Sequence, residues 1–75
     1  MTLSDIEIYA QNQAILSYVN ECLGTTFALR QLRGVDFSRM ELRNAAGVVL
    51  LAPLEVIDKV CVGMLAVAKE INKEV

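Results

Sequence analysis

Residues 45–68 read AAGVVLLAPLEVIDKVCVGMLAVA, a stretch of 24 residues in which only three side chains are charged. The whole chain has 75 residues. A domain of this size buries only ~60% of its unfolded surface, so it cannot cover such a long apolar segment on every side. We therefore expect another subunit, a partner protein or the edge of a membrane to cover part of this segment.

A membrane-spanning helix is not expected within this segment. Such a helix needs ~20 consecutive apolar residues. Pro53 and the charged group of Glu55, Asp58 and Lys59 separate two shorter uncharged runs, residues 45–54 and 60–68. Neither run is long enough to cross a bilayer.

The composition indicates a folded protein rich in aliphatic side chains. Hydrophobic residues make up 55% of the chain and aromatic residues only 5%, which excludes intrinsic disorder. Leu, Val, Ile and Ala supply the apolar content, and we expect them to pack helices against helices. The net charge of −2 favours neither nucleic acid nor an anionic membrane surface as a partner.

Residues 4–23 are predicted to form a first helix. Ser4 can cap its N-terminus, Glu7 completes a capping box, and Gly24 provides a stop signal. The polar belt of Gln11, Asn12 and Gln13 interrupts the apolar stripe midway. Either this belt is exposed to solvent, or Asn12 is buried in a helix–helix seam, where a polar residue can fix the register. The stripe itself recurs at helical spacing and comprises Ile8, Tyr9, Ile15, Leu16, Val19, Cys22 and Leu23.

Residues 25–44 allow three interpretations. We favour a short helix over 26–33, a turn at Gly34, and a second helix that is capped by Asp36 or Ser38 and continues to Leu51 or Ala52. A β-hairpin is an alternative, because residues 35–38 and 40–43 both alternate apolar and polar side chains.

The third interpretation depends on a five-residue spacing of Phe27, Leu32, Phe37 and Leu42. This spacing resembles that of pentapeptide-repeat proteins, in which a central Leu or Phe fills a square β-helix. The resemblance covers a single coil, whereas repeat architectures need at least about three stacked units to bury a continuous core.

A long C-terminal helix is predicted over 54–74, because Pro53 suits the first turn of a new helix. Its centre, 60–68, is apolar on all sides and must therefore be covered all round. Small residues on one side would allow a second helix to approach closely. The self-association or partner interface predicted from this pattern comprises Val60, Gly63, Met64, Ala66 and Val67.

These elements together predict an all-α fold, a single helical domain spanning residues 1–75 with three or four helices. The long C-terminal helix would dock against the first helix and leave an apolar face for self-association. We expect a homodimer that completes a helical bundle.

Residues with catalytic or ligand-binding chemistry are scarce. The chain contains no histidine, and its two cysteines, Cys22 and Cys61, are too far apart in sequence to form a metal-binding box. We interpret both cysteines as buried free thiols rather than as a disulfide. The sequence predicts no catalytic, cofactor or metal site, so we do not expect an enzyme.

Four arginines are the feature that would favour nucleic acid: Arg30, Arg33, Arg39 and Arg43. Our main prediction is instead a non-enzymatic protein–protein interaction module, a small adaptor, regulator or phage-type inhibitor. The acidic start of the chain lacks a signal peptide, so we expect a cytoplasmic location. The alternatives are a dimeric DNA-binding regulator that uses these arginines, and a membrane-peripheral protein that uses residues 47–54.

Overall fold

The computed structural model describes residues 4–32 and 37–73 and shows an α+β fold. The elements follow the order α1 (Asp5–Leu23), β1 (Ala28–Gln31), β2 (Met40–Asn44), β3 (Gly47–Ala52) and α2 (Leu54–Lys73). The strands form an antiparallel sheet in the order β1-β2-β3, and both helices pack on one of its faces. The prediction of an all-α helical bundle is therefore wrong.

The first helix agrees with its prediction, since its end signals are local. The Ser4 hydroxyl accepts a hydrogen bond from the Glu7 amide, and the Glu7 carboxylate accepts one from the Ser4 amide, both at 3.2 Å. At the other end Gly24 has φ 66° and donates its N–H to the Asn20 carbonyl. This left-handed conformation favours glycine. The capping box and the glycine stop are both confirmed.

A hairpin of β2 and β3 replaces the second helix that was predicted from Ser38 onward. The turn between the strands is supported by Asn44, whose Oδ1 accepts a hydrogen bond from the Ala46 amide at 2.9 Å. Gly47 follows with φ 131°, a backbone conformation that a side chain would strain. The adjacent β-branched pair, Val48 and Val49, favours an extended strand.

The other interpretations of residues 25–44 agree with the structure only in part. The hairpin alternative was correct that residues 40–43 form a strand, but their partners are β1 and β3. The short helix over 26–33 is wrong, because β1 occupies that region. A pentapeptide coil is absent from the described residues, where the strands form an antiparallel meander. Gly34 and Asp36 lie outside the described residues.

The core lies between the sheet and the two helices. Leu29, Leu42 and Leu50 are aligned across the three strands and face the helices, so the sheet contributes an aliphatic row. Leu29 and Leu42 are buried and Leu50 is partly buried. The buried residues that pack into one cluster are Leu16, Leu29, Met40, Leu42, Leu54, Ile57 and Cys61.

The two helices run in the same direction across this face, with α1 over β1 and α2 over β2 and β3. Their N-termini are adjacent, because Asp5 and Leu54 line the same cavity. At the other end the Tyr18 hydroxyl accepts a hydrogen bond from the Asn72 amide at 3.3 Å. The start of α2 after Pro53 is confirmed. In the described residues no helix is long and apolar enough to cross a membrane.

Asn12 is buried within this helix layer. Its side chain is 0% exposed, and neither its amide nitrogen nor its oxygen has a hydrogen-bond partner in the part of the chain that the structure describes. The solvent-exposed interpretation is therefore wrong for Asn12 and correct for its neighbours Gln11 and Gln13, which are exposed. Its burial agrees with the seam interpretation, and a role in fixing helix register stays a prediction.

Candidate protein-interaction surface

The sheet face opposite the helices is uncovered and apolar along β3. Val48, Val49 and Leu51 are 52%, 51% and 50% exposed on this outer face. The register shifts between Leu42 and Arg43, since Val48 pairs with Arg43 and Leu50 with Leu42, and Val49 is the extra residue of a β-bulge. Such a bulge bends a strand and redirects its side chains. Three large apolar side chains are thereby presented together to solvent.

Charged residues border this apolar strip on the same face. Arg30 lies directly opposite Glu41 in the register, and its Nε is 2.8 Å from the Glu41 Oε1. Arg43 Nη1 reaches the same oxygen at 3.1 Å. The two guanidinium groups cover the carboxylate, whose side chain is only 7% exposed. With two arginines and one glutamate, this part of the face carries one net positive charge.

The structure brings together only two of the four arginines that were predicted as a contact site. Arg30 and Arg43 meet at Glu41, on a sheet rather than on a helix. Arg39 is exposed just before β2, and Arg33 lies outside the described residues. The acid that pairs with Arg30 and Arg43 belongs to β2.

The five residues predicted as an interface on α2 lie in two different environments. Val60 and Met64 are half-buried and pack against the core. Gly63, Ala66 and Val67 are exposed. A Cβ atom added to Gly63 would meet nothing within 4 Å, so the small surface at this glycine is not used by any described part of the chain.

A continuous stripe on α2 connects three of these residues with Val56 and Ile71, which the sequence analysis missed. Val56, Val60, Gly63 and Val67 follow one another at spacings of four, three and four residues, the pattern of a helix-packing seam. Ile71 continues the stripe one turn later. Only Val60 is partly covered, and the other three valine and isoleucine side chains are exposed. We call this set the α2 stripe.

The two edges of the sheet differ in how far they are covered. At the β1 edge, Gln13 Nε2 donates a hydrogen bond to the Leu29 carbonyl at 3.2 Å. The Asn20 side chain donates to the Phe27 carbonyl at 2.9 Å and accepts from the Phe27 amide at 2.8 Å. Among the described residues, the backbone of β3 makes hydrogen bonds only with β2. The β3 edge is therefore free.

The hydrogen-bonding pattern identifies which groups point to this free edge. Leu32 N–H donates to the Arg39 carbonyl, and bonding directions alternate along a strand. Odd-numbered β2 residues therefore bond to β1, and Met40 and Leu42 bond to their β3 partners Ala52 and Leu50. The Leu50 amide and carbonyl face β2, so the Val49 carbonyl and the Leu51 amide, which belong to the same two peptide groups, point outward.

The remaining polar groups of the described residues include two carboxylates in first helical turns and two cysteines. A cavity of about 400 Å³ lies between the helix N-termini, and its carboxylates, Asp5 and Glu55, occupy first turns, where the helix dipole favours acids. Both cysteines are free. Burial, reinforced by the negative charge of Asp58, raises the pKa of the Cys61 thiol to about 11. Among the described residues no group of His, Cys, Asp and Glu is placed to hold a metal ion.

Comparison with known proteins does not identify a relative. No family model, curated protein or solved structure matches the chain.

Proposed function

We propose that this chain is a non-enzymatic protein–protein interaction module, a small cytoplasmic adaptor, regulator or inhibitor. It acts as a homodimer and binds another protein through the outer face of its sheet. The observation that carries the proposal is the apolar strip of Val48, Val49 and Leu51 on a face without a helix. Exposed apolar patches with polar rims are typical of interaction sites.

The charges beside the strip define the chemistry of the partner. Arg30 and Arg43 neutralise Glu41 and leave one net positive charge next to the apolar side chains. A partner that presents apolar residues flanked by carboxylates would complement both features. Charge complementarity of this kind favours the correct orientation and faster association.

The DNA-binding alternative has weaker support. Arg30 and Arg43 are paired with a nearly buried glutamate, so they do not form a dense positive surface for phosphates. The cytoplasmic location remains part of the proposal, and the free thiols are consistent with it because disulfides form mainly in oxidising compartments.

Photo-crosslinking in the native host tests the interaction role. A photoreactive residue at Val49 should yield a discrete product with a second protein. The same residue at Ser17, which is exposed on α1, is the matched control and should not yield that product. Identical products from both positions, or no product with another protein from Val49, would contradict the proposal.

Binding of the purified partner then tests the surface. The variant V48D places a carboxylate in the apolar strip, and we expect it to weaken binding at least about tenfold, equivalent to about 1.4 kcal/mol. The control I6D changes an apolar side chain that is 70% exposed on α1 and should leave affinity unchanged. Equal affinities of V48D and the wild type would reject the outer face as the binding site.

A further inference from the structure

We infer that the free β3 edge pairs with the β3 edge of a second copy, while the two α2 stripes pack against each other. Two three-stranded sheets would thereby join into one continuous sheet. This inference rests on the homodimer of the proposed function and assigns its interface. The outer face remains open for another protein.

The β3 strand has the properties required for pairing with itself. Its sequence, Gly47–Ala52, contains no charged residue and no proline. Charged residues and prolines normally protect an edge strand from association, so β3 lacks this protection. Antiparallel pairing about a two-fold axis at Leu50 brings the outward carbonyl of Val49 opposite the outward N–H of Leu51 from the second copy. The same contact occurs twice, as a two-fold interface requires.

The α2 stripe lies on the same side of the molecule as this edge. Asn72 marks the flank of α2 that contacts α1. Val56 lies about 160° and Val67 about 140° from Asn72 around the helix, at 100° per residue. Because α1 covers β1 and α2 covers β2 and β3, the flank away from α1 faces the β3 edge.

Standard spacings bring both contacts into reach at once. Strands lie about 4.8 Å apart, so a helix centred between β2 and β3 is about 5 Å from a two-fold axis beyond β3. The two α2 axes would then be about 10 Å apart, within the range of about 8–10 Å for packed helices. Gly63 has open space around it, which allows a distance between the helix axes at the lower end of this range.

The centre of the helix contact follows from the chain direction. α2 returns along β3 after the turn at Pro53. The axis at Leu50 lies about 7 Å before the end of β3, at about 3.4 Å per residue. Four or five residues of helix cover the same distance, which places the crossing near Val60. Val67 would then pack close to Val56 of the second copy.

Light scattering with paired valine variants tests the α2 contact. The wild type should have twice the 8.3 kDa chain mass at tens of micromolar. V67K should be monomeric, because it places a charge in the α2 stripe. V62K is the matched control, since Val62 is 51% and Val67 53% exposed but Val62 lies outside the stripe, and it should stay dimeric. Circular dichroism checks that both variants are folded.

A proline variant tests the strand contact separately. L51P removes an N–H from the free edge and leaves the β2–β3 hydrogen bonds in place, so it should be monomeric, whereas L51T keeps the N–H and should be dimeric. A monomeric wild type, or a folded L51P dimer, would overturn the inference. If the wild type is a monomer that still binds a protein through Val48, the dimer interface is wrong and the proposed interaction role stands. If it is a dimer that binds no other protein, the dimer interface stands and the proposed interaction role is wrong.

Discussion

Asn12 buries an amide in the helix layer without a hydrogen-bond partner among the described residues. An unsatisfied buried polar group costs about 1–3 kcal/mol of stability. Its neighbour Gln13 has the same chemical group but donates to the Tyr9 hydroxyl and the Leu29 carbonyl. The two amides therefore contribute in opposite directions to stability.

This contrast predicts the effect of replacing each amide with leucine. N12L should raise the free energy of unfolding by about 1–3 kcal/mol, because an apolar side chain of similar size removes the unsatisfied groups. Q13L should lower it by about 0.5–1.5 kcal/mol through the lost hydrogen bonds. Urea unfolding followed by circular dichroism measures both. A loss of stability in N12L would show that the Asn12 amide is stabilising.

The two thiols should differ in reactivity. Cys61 is buried with a pKa of about 11, and thiolates are the reactive form. At neutral pH a thiol reagent should modify the half-buried Cys22 in the folded protein and Cys61 only after unfolding. Mass spectrometry of the labelled chain measures this, and equal labelling rates for both residues would contradict the buried position of Cys61.

Alkaline pH should lower stability through the same thiol. The folded-state pKa of Cys61 lies above the ordinary value of 9.0, so the unfolded chain loses its proton first as pH rises. The contribution to stability is therefore complete below pH 9.0 and is lost as pH rises towards about 11. The variant C61A should show a smaller fall in unfolding free energy over this range, and an unchanged fall would assign the effect to other groups.

At the level of elements, the local signals in the sequence predicted the structure correctly. Ser4, Glu7 and Gly24 act within one helical turn, and Pro53 limits its neighbours directly, so both helices were predicted close to their observed ends. The strands depend on distant partners. Leu42 faces the core because Leu29 and Leu50 align with it, and no local pattern around Arg39 and Arg43 distinguishes that outcome from a helix.

The turn signal of the hairpin was nevertheless present in the sequence. Asn and Gly flank Ala45 and Ala46, and a Val-Val pair follows, a combination typical of a turn and a strand. It was missed because the long apolar run was interpreted as continuous helix. A hairpin would also have indicated an uncovered sheet face, which is where the candidate surface lies.

The turn can be tested at Asn44. N44A should lower the free energy of unfolding by about 0.5–1.5 kcal/mol, because the hydrogen bond from the Ala46 amide is lost. N44D keeps an acceptor oxygen at that position and should retain most of the stability. The midpoint of urea unfolding compares the three proteins. Equal losses in both variants would mean that the Asn44 oxygen does not support the turn.

At the level of the whole molecule, the sequence predicted the surplus of apolar surface at the helix centre 60–68, but only Val62 and Val67 of the large exposed apolar side chains lie there. The structure divides it between the outer side of β3 and the exposed flank of α2. The amount of apolar surface can be estimated from chain length and composition. Its distribution depends on the sheet, and the expectation that the centre of α2 is covered all round is wrong, because Val62 and Val67 are exposed there.

Amide hydrogen exchange at β3 tests the central claim, self-pairing of the free edge, most directly. The Leu50 amide bonds to β2 and should exchange slowly in every folded variant. The Leu51 amide should exchange slowly in the wild type and rapidly in V67K, because only pairing with a second copy protects it. Rapid exchange at Leu51 in a wild-type dimer, with Leu50 still protected, would contradict the account.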